Sequence, residues 1–286
     1  MEPLPEALSR AAASENFTVA SRLLPARYRR DLLAVYDFAR TVDDLGDEAD
    51  GDRLALLDRA EAELDRALQG APAGAVFASV AHTVRRAGLD PADLRRLIEA
   101  NRIDQRRTSY DTFTELLDYC SYSAAPVGRL VLGVFGVDDP EAGRLSDDVC
   151  AGLQVTEHLQ DVAEDARAGR VYLPADDLAA FGCRHDDLRA PSASVELRGL
   201  IAFESWRARR LLASAEPLMA LLPGPARVAV AGFAGGGTAA LDSIAACRFD
   251  VLGRPARPSP RRAARLALSL LAPSSPVRRG GGRGRH

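Results

Sequence analysis

The sequence contains no lysine: all 37 basic residues are arginine, set against 40 acidic ones for a formal net charge of −3. We read the missing lysine as codon usage rather than function. The near-balance of charge excludes the broad basic surface that nucleic-acid binding needs, so no nucleic-acid partner is expected. Cysteine is scarce. Cys120, Cys150, Cys183 and Cys247 are scattered with no C-x-x-C pair, which excludes a disulfide framework and a structural zinc site and fits a reducing, cytoplasmic setting. His82, His158, His185 and His286 show no ligand spacing such as H-E-x-x-H. The start lacks a basic stretch followed by an apolar run, so no signal peptide is expected. No run of about 18 apolar residues predicts a membrane helix. Alternating β-branched residues are hard to find, which excludes a sheet protein. Gly235–Gly237 lie inside an apolar helical stretch rather than a strand–turn–helix loop, so no nicotinamide cofactor is expected.

What is present is helix-forming sequence almost throughout, rich in Ala, Leu, Arg and Glu. Apolar residues make up 47% of the chain, enough at 286 residues to bury a large core. The pattern predicts helices over 30–48, 52–69 and 74–87. Another opens at Asp90 as N-cap with Pro91 in its first turn. A further helix runs to about Ser123, breaks near Pro126 and resumes as a buried apolar segment. Long helices follow over 141–167 and 192–222, with residues 169–182 between them as a turn and a short extended piece. Residues 226–252 read as a central apolar helix. No repeat and no linker appear before residue 254. We therefore expect an all-α, single-domain helical bundle over 1–258 and an Arg-rich, partly disordered tail over 259–286. From Arg254 on there are nine arginines and no acid. "RRAARLALSLLAP" in that stretch is either a last surface helix or a basic amphipathic segment drawn to an anionic membrane surface.

Two acidic stretches stand out, "RTVDDLGDEAD" at 40–50 and "EHLQDVAED" at 157–165. Asp43 and Asp47 are four apart and share a helix face, with Asp44 alongside. Asp161 and Asp165 repeat that spacing, with Glu157 one turn earlier. Like charges stacked this way destabilise an isolated helix by a few tenths of a kcal/mol per pair. Both rows also follow apolar sequence, where unpaired carboxylates are costly. One such pair reads as a solvated helix face. Two, on long apolar helices, read as rows facing each other across cations. Oxygen ligands without His or Cys suit Mg²⁺, which is held by one or two carboxylates, waters and substrate phosphates. The implied ligand is a diphosphate, and the implied chemistry is its ionisation inside an apolar cavity that shelters a carbocation. Arg40, Arg167 and Arg170 lie near the acids, either as phosphate contacts or as ordinary ion-pair partners.

These residues resemble the squalene/phytoene synthase family. "YDFARTVDDLGDE" and "LQDVAEDARAGRVYLP" look like its two aspartate-rich motifs. "ENFTVASRLLPARYRRDLLAVYDFAR", "YCSYSAAPVGRLVLGVFG" and "ALDSIAACRFDVLGRPAR" look like its N-terminal, middle and C-terminal segments. Together they cover about residues 14 to 258. The resemblance implies an isoprenoid-synthase bundle around a central cavity and head-to-head prenyl chemistry with two or three Mg²⁺ ions. By position, Asp43, Asp44, Asp47, Glu157, Asp161 and Asp165 would be metal ligands. Ser14, Asn16, Phe17, Tyr36, Arg40, Gln154, Gln160, Arg170 and Tyr172 would contact the prenyl diphosphate.

Three positions depart from the common family pattern: Glu157 in place of Asn, Gln160 in place of Arg, and Gly237 in place of Tyr. Together with "ENF" they resemble the bacterial branch that makes hydroxysqualene in the hopanoid pathway. The expectation is conversion of presqualene diphosphate and water to hydroxysqualene, with Gly237 opening space for the water. The alternatives are condensation of two farnesyl or geranylgeranyl diphosphates to presqualene diphosphate, squalene, dehydrosqualene or phytoene, and a noncatalytic assembly factor of the same fold. Peripheral membrane association is a further expectation, and oligomeric state is left open.

Overall fold

A computed structural model describes residues 24–72, 74–253 and 257–272. Ser14, Asn16 and Phe17 lie outside the described residues. Among the described residues twelve α-helices follow in chain order: α1 Ala26–Asp47, α2 Arg53–Leu68, α3 Ala75–Ala87, α4 Pro91–Asp104, α5 Phe113–Ser123, α6 Ala125–Val134, α7 Pro140–Arg167, α8 Ala175–Ala180, α9 Val195–Leu212, α10 Ala215–Leu221, α11 Gly224–Ala246 and α12 Pro260–Leu271. A 3-10 turn, His185–Arg189, separates α8 from α9. Among the described residues there is no strand, as expected of an all-α chain. An isolated bridge joins Ser109 to Val171.

Local chemistry sets the helix ends. The side chains of Asp52, Asp90, Thr112, Asp139 and Ser194 each accept a backbone N–H of the helix that follows, satisfying donors that have no partner within the helix. Pro126 has no N–H to give Tyr122, so the chain breaks between α5 and α6 where the sequence predicts it. The helix expected over 192–222 is instead two. Pro217 cannot donate to the Ala213 carbonyl, which accepts from the Glu216 N–H at 3.2 Å in a tighter turn. Residues 169–182 keep the turn but continue into α8.

Apolar residues at three- and four-residue spacing turn inward. In α2, Leu57, Ala60, Leu64 and Ala67 are wholly buried, and each leucine contributes about 1.5–3 kcal/mol. The long α7 runs through the centre of the bundle, against α5, α6, α9, α10 and α11. By length and composition α11 could cross a membrane. It is instead enclosed by α7, α9, α10 and α12, with Ala229, Ala231, Ala234, Leu241 and Ile244 buried. α12 packs along α11 so closely that a Cβ on Gly235 would lie 2.7 Å from the Ala267 nitrogen and 2.9 Å from the Ala263 oxygen.

Candidate active site

The last turns of α1, α4 and α7 end at the same side of the bundle and enclose a polar cavity of about 220 Å³. α1 supplies Asp43 and Asp47, and α7 supplies Gln154, Glu157, His158, Asp161 and Asp165. The two acidic rows therefore face one cavity, as their spacing implies. α4 adds Asn101 and Asp104, α5 adds Tyr119 and Ser123, and the chain after α7 adds Arg170 and Tyr172.

That returning segment is set by a helix-terminating motif. Gly169 takes the left-handed conformation, φ 82°, and the Arg170 N–H reaches back to the Asp165 carbonyl at 2.8 Å. Glycine adopts this conformation without Cβ strain. The Val171 N–H then bonds to the Thr108 carbonyl at 2.8 Å. Arg170 is thereby carried back over the cavity, where its guanidinium meets Asp47 at 2.7 Å.

Six carboxylates line this cavity against a single arginine, and burial there raises the pKa of three of them, Asp43, Asp104 and Asp165. Burial raises the pKa of Asp43, with repulsion from Asp47 adding to it and a hydrogen bond from Asn101 opposing it. Burial also lifts Asp165 to about 7, against the attraction of Arg170 and with repulsion from Asp161. Asp104 rises to about 6 through burial, although it accepts hydrogen bonds from Tyr119 at 2.5 Å and Tyr172 at 3.2 Å. His158 stacks on Tyr172 with ring centroids 3.7 Å apart. Burial pulls its pKa down to about 3, so the ring is neutral.

Other expected site residues stand outside the cavity wall. Arg40 turns to its own helix, with Nε 2.9 Å from Asp44 and Nη2 3.4 Å from Glu48. Asp44 is held in that pair rather than facing the cavity. Tyr36 and Gln160 are on α1 and α7 but not on the lining. The space expected at Gly237 is closed. A Cβ there would come within 2.5 Å of Leu153 and 3.3 Å of Leu212, because α7 and α9 press their leucines against α11. Asn101, Asp104, Tyr119 and Ser123 belong to neither acidic stretch of the sequence, and His158 shows no ligand spacing there. The only signal for the first two is a pair of polar residues, three apart, on the apolar stripe of Leu97 and Ala100.

The donor set suits a hard cation that is only partly held by protein. All the acidic donors are oxygens, and they stand in separate rows. Among the described residues no three His, Cys, Asp or Glu side chains converge on one point. Mg²⁺ fits such a site, since it keeps waters and shares its shell with substrate phosphates.

Comparison with known proteins agrees with the motifs. The squalene/phytoene synthase family pattern matches residues 10–264. The chain is 38% identical over 210 residues to the hydroxysqualene synthase of Rhodopseudomonas palustris, covering 72% of this chain and 70% of that one. It is 33% identical over 227 residues to the phytoene synthase of Arthrospira platensis, covering 74% of each. The crystal structure of squalene synthase HpnC from Alicyclobacillus acidocaldarius superposes with a TM-score of 0.77 at 45% identity, covering 82% of this chain and 89% of that one. With the all-α bundle and both acidic rows on one cavity, this chain belongs to the squalene/phytoene synthase family.

Proposed function

We propose that the protein is a Mg²⁺-dependent enzyme that converts presqualene diphosphate and water to hydroxysqualene and diphosphate. The observation that carries this reading is the pair of carboxylate rows, Asp43/Asp47 and Glu157/Asp161/Asp165, facing one cavity with Arg170 paired to Asp47 on its wall. The hydroxysqualene synthase relatives, at 37–38% identity, support the choice of product.

In this reading Asp43 and Asp47 of one row and Glu157, Asp161 and Asp165 of the other would hold Mg²⁺. Mg²⁺ bound there would supply positive charge to the departing diphosphate, which takes the electron pair of the broken C–O bond. Arg170, fixed by Asp47, orients the diphosphate as a charged hydrogen-bond donor. Tyr119, Tyr172 and the neutral His158 form an aromatic wall beside the acids. A neutral imidazole adds no positive charge to a site where a carbocation forms. Water then bonds to the rearranged cation and loses a proton, which completes the balance.

Condensation of two prenyl diphosphates is the second reading. It is favoured by the 45% identical squalene synthase structure and the phytoene synthase relatives. The noncatalytic assembly role is disfavoured, because a scaffold has no need of two carboxylate rows facing one cavity. Purified protein with Mg²⁺, given farnesyl diphosphate or presqualene diphosphate separately, distinguishes the three by product analysis. Hydroxysqualene from presqualene diphosphate alone supports the proposal. Product from farnesyl diphosphate alone overturns it in favour of condensation, and no turnover of either favours the scaffold.

A further inference from the structure

Asp242, near the end of α11, accepts one arginine from each flanking helix: Arg209 of α9 at 2.8 Å and Arg262 of α12 at 2.7 Å. This shared carboxylate links α9 and α12 through α11, and the exposed residues of the two helices have a common character. On α12 the inward residues Ala263 and Ala267 seat against Gly235. Arg261, Arg265 and Leu268 then form an outward stripe at helical spacing, with Leu268 67% exposed. Arg261 and Arg265 have no ion-pair partner among the described residues. On α9, one turn before Arg209, Trp206 is 51% exposed. It stacks on Phe203 with centroids 6.0 Å apart and carries the Arg210 guanidinium 5.1 Å from its ring. The sequence from Arg254 onward contains no acidic residue.

We propose that this α9–α12 face docks on a bilayer surface containing anionic lipid. An exposed indole with arginines around it, beside a helix whose outward stripe is two unpaired arginines and a leucine, matches the headgroup boundary chemically. The cations meet lipid phosphates while the Trp206 and Leu268 side chains enter the acyl edge. A soluble protein partner would need acidic side chains to answer the same arginines; a bilayer supplies its charge as a continuous sheet and its apolar layer directly beneath. The face lies on different helices from the acidic cavity, except that α11 and α7 connect the two through the core.

Trp206 is the only tryptophan in the chain, so its fluorescence reports on this face alone. The test titrates the full chain with phosphatidylcholine vesicles, with and without phosphatidylglycerol, and follows both co-sedimentation and emission. The expected result is sedimentation and a blue-shifted Trp206 emission only with phosphatidylglycerol, both reversed by salt. R261Q/R265Q is expected to keep its far-UV circular dichroism and to lose about 30-fold in partitioning, as two charges near the surface each contribute about fivefold. L268S, which leaves the charge unchanged, is expected to weaken the blue shift. Binding that does not depend on phosphatidylglycerol, that survives R261Q/R265Q, or that leaves Trp206 emission unchanged overturns the proposal. The last two outcomes assign vesicle binding to another part of the chain.

Discussion

Asn101 Nδ2 donates to Asp43 Oδ1 at 3.0 Å, and it can do so because residue 46 is glycine. A Cβ on Gly46 would lie 2.2 Å from Asn101 Oδ1. Gln105 Nε2 adds a bond to the Gly46 carbonyl at 3.0 Å. The end of α1 is thus clamped by α4, and Asp43 is aimed by a side chain 58 residues away. Asn101→Leu is expected to lower kcat by about 10- to 100-fold, the loss of about 1.5–3 kcal/mol from a hydrogen bond to a charged group. It is also expected to raise the Mg²⁺ concentration for half-maximal rate. Gly46→Ala is expected to act in the same direction. A Mg²⁺ titration of kcat beside a thermal melt checks this: equal Mg²⁺ dependence in variant and parent would refute the aiming role.

Removing one ligand charge tests the acidic rows directly. Asp43→Asn and Asp161→Asn are expected to lose at least about a hundredfold in turnover, comparable to the loss of a preorganised charge-stabilising group. Helicity by circular dichroism stays intact. Retention of activity would show that the rows are not the metal-binding groups.

Burial of these carboxyls gives a pH signature in stability. Asp165 and Asp104 have pKa values of about 7 and about 6, above the ordinary 3.8. A carboxyl whose pKa rises on folding destabilises the folded state when ionised. The penalty is absent below about pH 4, grows as pH rises and is complete above about pH 7. The protein in EDTA is therefore expected to melt at a lower temperature at pH 8 than at pH 6. Asp165→Asn is expected to narrow that gap, and Mg²⁺ with inorganic diphosphate to stabilise most at pH 8. Melting temperatures across pH 5 to 8 decide it, and a melting temperature that does not change over this range would contradict the raised carboxyl pKa values.

Two glycines of α11 should respond differently to alanine. At Gly235 the new Cβ meets the backbone of α12, which cannot move aside without displacing the helix. At Gly237 it meets the flexible tip of Leu153. Gly235→Ala is expected to cost about 1–3 kcal/mol by overpacking, and Gly237→Ala less. Paired thermal melts check the order.

Much of this molecule is legible in its residues. Helix positions follow from apolar spacing, Pro and Gly punctuation and capping side chains, and these act within a few residues. Asp43, Asp47, Asp161 and Asp165 are legible because stacked like charges on apolar helices need a reason to be there. Arg40 shows where such reading stops. It has the right spacing toward the acids, but which carboxylate it meets is a rotamer choice, and it takes Asp44 and Glu48 over the cavity. Gly237 shows the same limit in packing. Absence of a side chain becomes space only if no neighbour fills it, and Leu153 does.

The sequence by itself determined an all-α chain, the ends of most helices and the two acidic rows, because each depends on residues no more than one or two turns apart. Only the tertiary structure decided that Asn101, Asp104, Tyr119 and His158 complete the cavity, and that α12 lies against Gly235. Those outcomes come from helices distant in sequence packing together, where contact depends on crossing geometry and close approach rather than on any local pattern.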